Sequence, residues 1–184
     1  MSFQFCRRKF YFLLALAIPG YAAVHPVQHS AREQVNAQVL NAASQQIESL
    51  AQQRQWHDYR YIFKVYIPSQ IATAAPCTKT PGVTLTSPAE IALNRMNFTV
   101  SCPQSWQMNV AVRPDVLVPV VMAKSVVARD TPLTANDVEL KPYNVSAQRR
   151  DVLMELDDAI GLSSKHALQP GRPLTKEELV SPVL

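Results

Sequence analysis

The sequence predicts an α+β protein, mainly β: one N-terminal helix, a small antiparallel sheet tied by a disulfide, and then a doubled β unit. Three observations carry this. A stretch with helical apolar spacing gives way to strict strand alternation at residue 59. A fifteen-residue phrase is used twice, 41 residues apart. Fourteen prolines in 184 residues make further long helices improbable after the first.

The helix comes first. Residues 31–56 hold little Pro or Gly and much Ala and Gln, with Val35, Val39, Ala43, Ile47 and Leu50 recurring at three- and four-residue steps. Alternation follows: Tyr59, Tyr61, Phe63, Val65 and Ile67 fall on one face, with Arg60, Lys64 and Tyr66 opposite, and Pro68 ends the strand. Residues 68–88, rich in Pro, Thr, Ala and Ser, read as a loop around Cys77. Residues 91–100 and 106–112 read as a hairpin closed by 101–105, which contains Cys102. Pro114-Asp115 reads as a soft boundary, dividing residues 23–115 from a second unit at 116–184.

The doubled phrase opens that unit. KSVVARDTPLTANDV at 124–138 returns as KHALQPGRPLTKEEL at 165–179, with Lys, Pro, Leu and Thr matched, Val127 answered by Leu168 and Val138 by Leu179. Each copy reads as an extended apolar run, a tight turn and one helical turn. Thr134 with Asp137, and Thr175 with Glu178, have the spacing of a capping box. Two copies are too few for a solenoid, so they form a paired supersecondary unit. Residues 141–153 read as the polar connection between them.

Residues 1–22 carry a separate message. Arg7, Arg8 and Lys9 precede an apolar run at 10–18, too short to span a bilayer, and Gly20-Tyr21-Ala22 supplies the small residues of a signal-peptidase site. Cleavage is expected after Ala22, with Ala23 as the second choice; a retained N-terminal anchor is the competing reading, and no stable membrane anchor is expected. Loss of those three cations lowers the formal charge from +4 to +1. The high pI therefore gives no argument for nucleic acid. Cys6 departs with the signal, leaving Cys77 and Cys102 in an exported, oxidising compartment. A disulfide is expected; free thiols or a metal pair are the alternatives, although no further Cys or His lies at ligand spacing.

Convergent titratable groups are scarce. His25 and His29 share a terminal stretch with nothing to position them, and Trp56-His57-Asp58 reads as a helix end rather than a base with its orienter. In Ser163-Ser164-Lys165-His166, the Lys matches Lys124 of the other copy, where no such Ser or His accompanies it, so the position reads as structural. No catalytic, cofactor or metal residues are expected. The apolar run 116–122 reads as a strand at an edge or domain crossing. Ordinary core is the plainer reading; the sharper one is an edge that accepts a partner strand at Val116, Val118, Val120 and Met122.

Taken in order, the signal, helix, strand, Pro76-Cys77, hairpin with Cys102 and the doubled phrase resemble the flagellar basal-body P-ring formation chaperones. The doubled phrase itself resembles the SAF domain, a β-clip module. The resemblance implies a periplasmic, non-catalytic assembly chaperone that binds the P-ring subunit. A SAF scaffold subunit of a pilus or secretion assembly is the alternative, and an exported enzyme using the clip as a lid is a third. Asp130 stands where such domains often have Gly, so that turn must tolerate a side chain. Family members usually continue through another β-rich region, which implies an uncovered apolar edge near Val118 and a tendency to self-associate.

Overall fold

The computed structural model describes residues 30–86, 93–147 and 151–182, so the proposed cleavage positions Ala22 and Ala23 lie outside it. Ser30 caps α1 (Ala31–Gln53): Glu33 N–H donates to its hydroxyl at 3.2 Å, and Ser30 N–H donates to the Glu33 carboxylate at 2.9 Å. The predicted stripe Val35, Val39, Ala43, Ile47 and Leu50 is buried along the whole helix. The small and branched side chains of that stripe let α1 lie close on the sheet.

The main sheet runs β1 (Arg60–Tyr66), β4 (Trp106–Ala123), β3 (Met96–Cys102), β2 (Gly82–Leu85), all antiparallel, with β5 (Val138–Asn144) also on β4. Two expectations are corrected. The stretch 68–88 is not all loop: residues 69–73 form a 3-10 turn, and Val83 and Leu85 alternate as β2 against β3. Lys141 to Asn144 is likewise strand, part of β5, rather than a polar connection.

A third correction concerns Pro114. The hairpin's second strand does not stop at Val112 but runs on to Ala123, through two prolines. Register explains how a central strand tolerates them. Val116 accepts from Val145 N–H on the β5 side, and Val121 N–H donates to Leu153 on the opposite, β1 side. Even-numbered residues therefore turn their backbone groups towards β3 and β5, odd-numbered ones towards β1. Pro114 faces the gap between the end of β3 pairing at Val112 and the bonds at Val116. Pro119 faces the gap between β1, which ends opposite Leu117, and Leu153. Each missing N–H falls where no strand would have accepted it.

One disulfide joins the ends of this sheet to the helix. Cys77 and Cys102 are bonded, with Cα atoms 5.7 Å apart. The Gln34 amide of α1 clasps the backbone of Cys77 from both sides, donating to its carbonyl at 2.9 Å and accepting its N–H at 2.7 Å. The Trp106 indole donates to Ala75 at 3.0 Å, closing the same loop onto β4.

β6 (Ser163–Ser164) and β7 (Leu179–Val180) complete the second unit, in which the two copies face each other. Val127 and Leu168, matched in the repeat, exchange both backbone hydrogen bonds, at 3.2 and 2.9 Å. Several further bonds come in pairs related by the same 41-residue shift. Lys124 N–H donates to Asp137 and Lys165 N–H to Glu178; Leu133 N–H donates to Leu162 and Leu174 N–H to Val121. Asp130 N–H donates to Ser164, and Gly171 N–H to Ala123. The unit is thus a pseudo-two-fold of the phrase against itself. Its core is built from the matched pairs Val127 and Leu168, Leu133 and Leu174, Val138 and Leu179, all buried together with Val121 and Ala123. At about 1.5–3 kcal/mol for each fully buried aliphatic side chain, these outweigh the caps, which orient the turns.

The turn that each copy needs is left-handed. Asp130 has φ 60° and Gly171 φ 77°. Asp can occupy this region at tolerable cost, and a Cβ at Gly171 would meet nothing within 4 Å.

Three predictions follow from this architecture. Replacing both Cys77 and Cys102 by Ala should lower unfolding stability by about 3.5 kcal/mol on the chain-entropy account of the loop they close; urea unfolding with no loss would refute the clamp. Gly171→Val should cost about 1–2 kcal/mol through backbone strain, while Gly171→Asp should cost clearly less, since Asp130 already serves in the matching turn. Equal costs would show that the two turns are not equivalent. Finally, hydrogen bonds from the Thr134 hydroxyl and N–H hold the Asp137 carboxyl below its ordinary 3.8. A depressed carboxyl stabilises above its unfolded value, and the effect is lost as pH falls through the folded one. Asp137→Asn should therefore lower the urea midpoint near neutral pH and leave it almost unchanged at about pH 2.

Candidate functional site: the uncovered face of the sheet

Helix α1 covers one face of the main sheet, and even-numbered β4 side chains point into that core. Val116, Val118, Val120 and Met122 are all among them, none more than 5% exposed. They do not form an edge: β5 pairs with β4 across residues 117–123, and β1 holds the other side as far as Leu117. The run is apolar because it is core, and its backbone is occupied.

The opposite face is where apolar side chains meet solvent. Ile62 is 65% exposed, Leu117 43% and Leu140 43%. The register places them in one field. Ile62 lies opposite Asp115, one diagonal step from Leu117; Leu117 lies opposite Asn144; Pro119 faces Pro142, and Val121 faces Leu140. Towards Ala123 this face passes under the second unit, so the exposed field ends where the doubled core begins.

A polar clamp crosses the field. Lys64 of β1 donates to the Asp115 carboxylate at 3.0 Å, and the Asn144 amide of β5 donates to its other oxygen at 3.2 Å. Asp115 therefore ties three strands. The Lys64 bond, then that of Asn144, holds its carboxyl below the ordinary range, and Lys64 is raised in turn by Asp115. Arg113 stacks its guanidinium 5.5 Å from the Tyr66 ring further along the face. Exposed aliphatic groups beside satisfied ionic groups make a surface suited to contact with another protein rather than to bond-making chemistry.

The remaining expected residues fall in separate places. Lys124 donates its ammonium to Ala135 and Lys165 to Glu177, so the matched lysines brace the turns of their copies, as their repetition implied. His57 is exposed beyond the helix end, while Trp56 beside it is buried. His25 and His29 lie outside the described residues. Sequence reasoning missed the open face. Its available signal was Ile62, an isoleucine in the outward phase between Arg60 and Lys64.

Comparison with known proteins bears on both halves. Residues 118–184 match the family model described as chaperone for flagella basal body P-ring formation. A comparison with curated proteins gives no match. The fold resembles Salmonella FlgA in its closed form, at 18% identity and TM-score 0.53, over 80% of this chain and 68% of that one. It also resembles Salmonella FlgA in its open form, at 16% identity and TM-score 0.55, over 80% of this chain and 64% of that one. Flagellar protein FlgA from Thermotoga maritima matches at 16% identity and TM-score 0.51, over 74% of this chain and 50% of that one. The chain thus spans between half and about two-thirds of the length of these proteins, and at such identities the likeness is one of fold. The doubled unit is thus similar to the chaperones for flagella basal body P-ring formation, and the chain shares the fold of the FlgA structures across both cores.

Proposed function

We propose that this protein is a periplasmic, non-catalytic chaperone that binds the subunit of the flagellar P-ring and helps it to assemble. The observation that carries the proposal is the match of residues 118–184 to P-ring formation chaperones. In this reading residues 1–22 are a cleaved signal, residues 23–115 the helix-and-sheet unit, and residues 116–184 a β-clip of the SAF type. The Cys77–Cys102 bond fits an oxidising compartment outside the cytoplasm.

The client would be recognised by the open sheet face rather than by Val116, Val118, Val120 and Met122, whose side chains are buried. Ile62 and Leu117 offer it about 1.5–3 kcal/mol each if a contact buries them fully. The Lys64–Asp115–Asn144 clamp keeps the three strands in register beneath, so that the field is presented as a firm plane.

Deleting the gene should leave basal bodies without P-rings and cells that do not swarm, and the full chain supplied in trans should restore both. An Ile62→Asp, Leu117→Asp double variant should capture purified P-ring subunit at least about tenfold less well, the scale of one lost aliphatic contact, at an unchanged thermal midpoint. Normal swarming in the deletion strain would overturn the assignment; undiminished capture by the double variant would remove the open face from it.

A further inference from the structure

The pseudo-two-fold supplies an internal control for side chains that the fold does not itself require. A cavity of about 190 Å³ opens in the second copy, lined by Ser164, His166, Leu168, Gln169, Arg172 and Glu178 among others. Leu168 and Leu174 form an apolar floor with Ser164, which is fully buried, while His166, Gln169 and Arg172 are exposed at the rim. The 41-residue shift carries these rim and floor positions onto the first copy. There Ser164 becomes Ala123, His166 becomes Ser125, Gln169 becomes Ala128 and Arg172 becomes Thr131. The floor keeps its character, Leu168 and Leu174 answering Val127 and Leu133, both buried.

The same backbone is therefore built twice, once with small neutral groups and once with a guanidinium, an imidazole and an amide around a hydroxyl. The first copy closes its hydrogen bonds without them, so the fold does not call for them. We infer that this cavity is a binding site for a single carboxylate-bearing residue of a partner polypeptide, its acid group held by Arg172.

Three features select that ligand. The volume lies below the roughly 300 Å³ at which small-molecule and cofactor sites begin, and suits one side chain. Arg172 offers a planar fork for a carboxylate, with the Gln169 amide and the Ser164 hydroxyl as further donors. The Ser164 oxygen already accepts from His166 N–H at 3.3 Å, which leaves its own proton to donate. Glu178 also lines the cavity, one of its oxygens taken by Thr175 N–H at 3.2 Å. A carboxylate on the wall disfavours a dianion such as phosphate, and it can accept a backbone N–H from a peptide. A site with one cation and one spare acceptor fits a singly charged residue within a chain.

This inference rests on the reading that the chain binds a polypeptide client, but its test needs no flagellar subunit. The full chain, labelled with ¹⁵N, would be titrated with acetyl-Gly-Glu-Gly-amide, with the Gln peptide of the same length, with acetate and with inorganic phosphate. The Glu peptide should shift amides within residues 164–174, and should bind at least about tenfold more tightly than the Gln peptide or phosphate, the scale of a charge-assisted hydrogen bond. Acetate binding as tightly as the Glu peptide would assign the site to free small acids and overturn the polypeptide claim. Arg172→Gln should lose about tenfold in affinity for the Glu peptide, while Thr131→Val, at the matching position of the first copy, should lose nothing. Equal binding of the Glu and Gln peptides, preference for phosphate, or full affinity in Arg172→Gln would each overturn the inference. Equal loss in Thr131→Val would trace the effect to the fold and overturn it too. Failure of subunit capture with retained peptide binding would count against the client assignment and leave this cavity's chemistry standing.

Discussion

β4 is the element on which the rest of the molecule depends, because one strand supplies a wall to two separate cores. From Trp106 to Val120 its even-numbered side chains turn towards α1, burying Val110, Val112, Val116, Val118 and Val120 with the helical stripe. At Val121 and Ala123 the odd-numbered positions become buried as well, now in the doubled unit. A pleated strand presents alternate residues to opposite faces, so it can serve a core on each side only where both faces are covered. The apolar run from Val116 to Met122 is the place where the cover changes from one face to both. Backbone pairing then fixes the two units to a common rod, with β1 and β3 along its first part and β5 and Leu153 along its last.

The same constraint explains the open face. While only α1 covers the sheet, the outward side of β1, β4 and β5 must meet water. It does so with an ion-paired clamp at Asp115 and with Ile62, Leu117 and Leu140 around it. In the doubled unit the opposite solution holds. Two copies of one phrase close on each other, and the matched pairs Val127 and Leu168, Leu133 and Leu174, and Val138 and Leu179 are buried between them. One half of the molecule satisfies its core internally, and the other retains an uncovered apolar surface.

Much of this was legible in the residues, and the gaps have physical causes. The helix stripe and the β1 alternation read correctly because each is a local periodicity imposed by burial on one face. The disulfide was legible because Cys77 and Cys102 are the only two cysteines in residues 23–184. The end of the hairpin was misplaced at Pro114, because proline is costly in a strand only if its nitrogen faces a neighbour. Which side faces a neighbour is a matter of register with strands far away in the chain. β2 escaped notice for a related reason: four residues carry too short a pattern, and it is the pairing with β3 that makes them a strand.

The sequence by itself determined the local units: a capped amphipathic helix, an alternating strand, two cysteines, and a turn-and-cap phrase written twice. These depend on contacts within a few residues, so their chemistry is present in the order of the side chains. Tertiary structure alone decided that the two phrases pair across a pseudo-two-fold, that β4 runs through both cores, and that Val116, Val118, Val120 and Met122 are interior while Ile62 and Leu117 are not. It also decided that Arg172 and His166 rim a cavity that their counterparts Thr131 and Ser125 do not furnish with charge. Those outcomes follow from which faces are covered by elements distant in sequence, and coverage exists only once the chain has closed on itself.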